Sequence, residues 1–128
     1  MKKAIIVSIL TIFLFGLATY ELIAVEKIIS NLEVMTVELQ TIITDNKENV
    51  VQTETDVKKV RDYWSKHEEN LCLMFNHKDL STITDTLSRL SSSVTNNDYD
   101  NAIIEVNLLK EYSEKNRHIM GFNMQNLL

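Results

Sequence analysis

Apolar residues recur along most of this chain at intervals of three and four, the period at which one face of an α-helix comes round. The first such stripe is Val25, Ile28, Leu32, Met35, Leu39 and Ile42. A second runs through Val50, Thr53, Val57, Val60, Trp64, His67, Leu71 and Met74, with Thr53 and His67 as its polar members. Leu80, Ile83, Leu87, Leu90 and Val94 make a third. The fourth is wider: Ala102, Ile103, Val106, Leu109 and Tyr112, flanked by Ile104 and Leu108 and followed by Ile119, Met120 and Phe122. A face that wide predicts a helix buried on more than one side.

The joints between stripes are short and polar. Asp45-Asn46-Lys47-Glu48 sets a capping residue three places before a glutamate, a capping-box arrangement with Asp in first position. Asn76 to Asp79 separates the second and third stripes, and Asp79 is the expected N-cap of the third helix. Thr95 to Asp98 separates the third and fourth. Joints of this length make successive helices antiparallel. With one gap, "ITDNKE-NVVQTETDVKK" lies over "VTNNDYDNAIIEVNLLK". The match is turn chemistry and helical period, so it describes two similar hairpins without implying a common origin. A solenoid would need more copies.

The opening of the chain has no polar face at all. Lys2 and Lys3 precede seventeen residues without a charge, Ala4 to Tyr20, and Glu21 follows. At 1.5 Å per residue that run makes about 25 Å of helix, or about 33 Å if extended to Val25, which brackets a bilayer core. Two readings are open. A secretory leader has the same charged start and apolar run, and the small residues Gly16 and Ala18 would allow cleavage near Ala18. A retained anchor would put Tyr20 at the outer interface, with the lysines holding the N-terminus in the cytoplasm. No helix breaker separates the run from the first stripe, which favours one continuous helix and an anchor flanked by Lys2, Lys3 and Tyr20. Residues 26–128 would then lie outside the cytoplasmic membrane on a single-pass anchor formed by residues 1–25. Secretion after cleavage near Ala18 is the alternative.

Composition narrows the picture. A chain of 128 residues has room for one small domain besides that segment. It has no proline and two glycines, Gly16 and Gly121, too few for a sheet with tight turns. Cys72 is the single cysteine, so no intramolecular disulfide can form, and none near the start could carry a lipid. The net charge is −5; residues 1–25 hold Lys2, Lys3 and Glu21, so the remainder carries −6. An acidic domain gains nothing from a phosphate backbone or an anionic lipid surface, which argues against nucleic acid as a partner and against peripheral, charge-driven membrane binding.

Candidate chemistry is sparse. Trp64, His67 and His77 form the one cluster that could line a ligand or sensing site. "HEENL" at His67 lacks the second histidine of the zinc pattern H-E-x-x-H, and the paired Glu-x-x-His motifs of a di-iron bundle are absent. Glu114 and His118, at i and i+4, suit a helix-surface pair. The structural reading makes Trp64 a core aromatic. His67 then donates a hydrogen bond near Trp64, and His77 is a turn residue capping the second helix or packing across the joint. Cys72 reads as a small buried side chain, since Glu68, Glu69 and Asn70 do not supply the electropositive setting of a reactive thiol. The serines of "LSRLSSSVT" lack a glycine elbow and read as a polar helix face. No catalytic, metal or cofactor-binding residues are predicted.

The start "MKK" with its apolar run, "YELIAVEKI" after it, and "DYWSKHEENLCLMFNHKDLSTITDTLSRL" in the middle resemble the family of short membrane-anchored proteins called domain of unknown function 4363. The most specific part is Trp64, His67, Leu71, Phe75, His77 and Leu87 to Leu90. The resemblance covers nearly all 128 residues. It implies a helical fold with one N-terminal span and carries no activity. The sequence therefore predicts an all-α chain in which a membrane helix continues into two antiparallel hairpins, a small four-helix bundle. The expected function is a non-enzymatic interaction module, an accessory subunit to a larger membrane protein or a homo-oligomer, touching lipid through its first helix. A ligand- or ion-sensing bundle around Trp64, His67 and His77 is the second expectation.

Overall fold

The computed structural model describes the backbone of residues 1–45 and 50–125 and the side chains of residues 1–45 and 50–118. The described residues form four helices: α1 Lys2–Asp45, α2 Val50–Leu71, α3 His77–Thr95 and α4 Tyr99–Gln125. α1 has 44 residues, about 66 Å at the helical rise. α1 packs on α2 and α4, and α3 packs on the same two, so successive helices are neighbours and the fourth closes the ring on the first. This is the up-down bundle expected from short joints. Side chains set the direction. Tyr63 Oη on α2 donates to the Ile28 carbonyl on α1 at 3.2 Å, and further back along α2, Asp56 shares a groove with Ile42. On the other flank Gln40 Nε2 donates to Asn107 Oδ1 at 2.6 Å and Arg117 Nη1 stands 3.2 Å from Glu33 Oε2. Both neighbours of α1 run antiparallel to it.

The buried line of α1 is Val25, Ile29, Leu32, Thr36, Leu39 and Ile43. Ile28, Met35 and Ile42, expected at its centre, lie half-buried on the flank toward α2. A 3,4 spacing fits either set. The choice falls to the neighbours, because α1 must face two helices and its central line points between them. The flank toward α4 is polar, with Glu33 and Gln40. Thr36 is tolerated in the core because its hydroxyl donates to the Leu32 carbonyl at 2.7 Å, four residues back. Thr86 and Ser113 do the same to Thr82 and Leu109.

The second stripe holds through Thr53, Val57, Val60, Trp64 and Leu71, and the third through all five of its predicted members. α2 stops at Leu71, so Met74 falls in the following turn and is exposed. His67 is half-buried. α4 meets α1 and α3, as a wide face requires, but its buried line thins to Ala102, Val106, Leu109, Ser113 and Asn116, and Ile104 is exposed. Ile119, Met120 and Phe122 lie outside the described side chains.

The turns obey local chemistry. The N-cap of α3 is Asn76, whose side chain accepts from the Lys78 N–H at 3.0 Å. Asp79, expected in that role, sits in the first turn, where a carboxylate favours the positive end of the helix dipole. The helix starts earlier than the sequence suggested because Asn caps as well as Asp. At the α3–α4 turn Asn97 takes φ 57°, a left-handed position that asparagine tolerates. The Asn97 and Asp98 N–H groups return to the Val94 and Ser93 carbonyls, closing a Schellman motif. Asp98 then accepts from the Asn101 N–H at 3.2 Å, capping α4. Of the arrangement predicted over Asp45 to Glu48, Asp45 is the last residue of α1, and the other three positions lie outside the described residues.

Candidate functional site

Two regions of the molecule carry features beyond core packing. The first is the free half of α1. Every residue from Met1 to Glu21 is exposed, although the run from Ala4 to Tyr20 is uncharged and mostly large and apolar. The helix is long and apolar enough to cross a membrane, and none of its most apolar stretch is buried by the bundle. A secretion signal passes the same test. Both of its threonines turn inward: Thr11 Oγ1 donates to the Val7 carbonyl at 2.9 Å and Thr19 Oγ1 to the Phe15 carbonyl at 2.8 Å. Backbone groups paired along the helix and hydroxyls paired back onto it reduce the segment's need for water, as lying in lipid requires. Lys2 and Lys3 stand exposed at one end and Tyr20 at the other.

The second region surrounds Trp64. The indole is 1% exposed, and its Nε1–H donates to Thr84 Oγ1 on α3 at 2.8 Å. That hydroxyl lies 2.8 Å from Glu68 Oε1 and donates to it. The chain indole–hydroxyl–carboxylate ties α2 to α3 and gives the buried N–H its partner. His67 lies against Tyr63, ring centroids 4.6 Å apart and tilted 51°. Tyr63 in turn reaches the Ile28 carbonyl, so this pair faces α1. His77 is the exposed first residue of α3. Trp64, His67 and His77 thus occupy three different settings. Cys72 is half-buried, its thiol 3.4 Å from the Glu68 carbonyl. Among the described residues no group of three or more His, Cys, Asp or Glu side chains could hold a metal ion.

Open grooves occur along the helix seams, and those lying along α1 or at the far end avoid the three candidate residues. An open polar groove of about 550 Å³ between α1 and α4 is lined by Glu26, Ser30, Glu114, Arg117 and His118. Glu114 there stands 3.9 Å from Lys110, in place of the pair expected with His118. A groove of about 300 Å³, mostly apolar, lies between α1 and the end of α2, from Tyr20 to Ile28 and from Glu69 to Met74. The charged surface is made of ion pairs within helices and across their seams. Lys59 Nζ lies 2.7 Å from Asp56 Oδ1, and this contact, with the Gln52 amide, holds the Asp56 carboxyl below its usual range. Arg89 Nε lies 2.9 Å from Glu105 Oε1, which keeps the guanidinium charged still more firmly.

Sequence reasoning did not single out Thr84 or Leu73. Nothing along the chain announces Thr84, since its partner lies across a helix seam. For Leu73 a signal exists: "LCLMF" is apolar at five consecutive positions, more than one helix face can use.

The fold and these surfaces define a four-helix bundle continuous with an exposed apolar N-terminal helix. The family model for a domain of unknown function, DUF4363, matches residues 19–127, and the chain belongs to that family. No curated protein and no solved structure matches it.

Proposed function

We propose that the chain is a membrane-anchored interaction module: the first half of α1 stays in the cytoplasmic membrane, uncleaved, and the bundle stands outside and binds a protein partner. The observation that carries this reading is the unbroken α1, whose first half exposes apolar side chains on all sides while its second half is a core helix of the bundle. Cleavage near Ala18 would cut inside that helix, only seven residues before its first buried side chain, Val25. Tethering to the bilayer raises the effective concentration of any partner in the same membrane. The bundle offers the exposed Val34 and Val37 on α1 and the polar α1–α4 groove as contact surface. No catalytic role is assigned.

Affinity isolation of the full chain from native membranes in mild detergent, with mass spectrometry, tests the proposal. A defined membrane protein should co-purify and be lost on Val34→Glu/Val37→Glu, which leaves the core intact. Recovery of the chain alone, as a monomer, contradicts it.

A further inference from the structure

The two described turns of the bundle have opposite chemistry. The α3–α4 turn is Asn96, Asn97 and Asp98, all polar and exposed. The α2–α3 turn contains Cys72, Leu73, Met74 and Phe75, without a charge. Phe75 and Cys72 pack against the core, and Leu71 already closes it at 0% exposure. Leu73 and Met74 are left outside, 85% and 40% exposed. Turns at the water surface are ordinarily polar, so the bundle by itself gives these two side chains nothing to do.

Their position supplies the reason. α2 runs antiparallel to α1, so its last turn returns to the point where α1 leaves the bundle. Leu73 and Met74 line the same groove as Tyr20 and Ala24. They therefore stand level with the end of the uncharged run of α1, in a mostly apolar groove whose polar members are Glu21, Glu69 and Asn70.

We propose that the α2–α3 turn is a second membrane contact, in which Leu73 and Met74 enter the interfacial layer of the bilayer that holds α1. The inference rests on the anchored reading of α1. Tyr20 marks the depth: aromatic residues at a span's end sit at headgroup level, and the turn lies at that level. The occupant is lipid, because a side chain at this depth beside a span meets the headgroup–acyl boundary first, and an apolar pair without charge suits that boundary. A single helix would leave the bundle free to tilt over the membrane. A second contact on α2–α3 restrains that tilt and holds this end of the bundle against the bilayer.

The test uses the full chain in phosphatidylcholine/phosphatidylglycerol vesicles, in a Cys72→Ser background. Single nitroxide labels are placed through Ile9→Cys, Leu73→Cys, Met74→Cys or Asn96→Cys, and collisions with oxygen are compared with collisions with a water-soluble nickel chelate. The oxygen-to-nickel ratio should be several-fold higher at 73 and 74 than at 96, and highest at 9. Ratios at 73 and 74 equal to that at 96, with 9 still in lipid, overturn the inference and leave the anchor standing. A label at 9 reached freely by nickel overturns both. Shielding of 73 and 74 from both reagents assigns the turn to a second copy of the chain and overturns the lipid contact.

Discussion

The two halves of α1 are one helix built for two surroundings. From Val25 to Ile43 a single line is buried and the opposite side carries Lys27, Asn31, Glu38 and Thr41. From Ala4 to Tyr20 there is no such side: large apolar residues point everywhere and every one is exposed. Both halves are rich in Ile, Val and Leu, so apolar content does not distinguish them. Period does. A stripe means that water touches the other face; the absence of a stripe means that no face is meant for water. On the proposed reading, the helix leaves lipid and joins the bundle between Tyr20 and Val25.

The sharpest way to break this contrast is charge. Leu10→Arg with Phe13→Arg should abolish membrane retention, since each arginine at the centre of a span costs about 2.5–3.5 kcal/mol of insertion. The same pair should leave the thermal melting of the bundle unchanged, because neither side chain touches it. A core helix would respond in the opposite way. Next comes Trp64→Ala, on the bundle side. It removes the largest fully buried side chain and strands the Thr84–Glu68 pair, so denaturant unfolding should show a loss of about 3–5 kcal/mol with membrane retention intact. That is a large share of the roughly 5–15 kcal/mol that holds a small domain together.

Smaller effects sharpen the bundle's description. Asn97→Ala should cost about 1 kcal/mol, the penalty for a side chain that lacks asparagine's tolerance of φ 57°; Asn97→Gly should cost nothing or stabilise slightly. Asp56 gives the smallest change and a defined pH sign. Its folded carboxyl is held below the ordinary value by Lys59 and Gln52, so the folded state binds a proton less readily than the unfolded chain. The contribution is present above about pH 4, the ordinary aspartate value, and is lost as pH falls through the folded value. As a pair three residues apart on one helix, with Lys59 exposed, it is worth about 0.2–0.5 kcal/mol. Melting of Asp56→Asn should fall below that of the native chain at pH 7, and the gap should close in strong acid.

The helices were legible from period alone, and the antiparallel run of successive helices from their short joints; which helices pack side by side, with α4 closing on α1, was not. Which residue stands at the centre of α1 was not legible. Ile28 and Ile29 are equivalent until α2 and α4 take their places on either side, and only then does Ile29 point inward. Asn76 was passed over as a cap because Asp79 has the same chemistry three residues later; the helix simply starts at the first competent residue. The setting of Trp64 was legible as core, while its partner Thr84 was not, since a bond across a seam leaves no periodic trace. Leu73 was hidden for a related reason. It extends an apolar run, and only the return of α2 beside Tyr20 reveals that it lies outside the core.

On the anchored reading, the first half of α1 stays attached, the uncharged run from Ala4 to Tyr20 crosses the lipid, and the bundle begins at Val25. The most direct measurement is the intact mass of the native protein recovered from the membrane pellet after carbonate washing. A full-length chain retaining Lys2 and Lys3 is expected in that pellet. A soluble chain beginning at Thr19, with nothing left in the membrane, would contradict that reading.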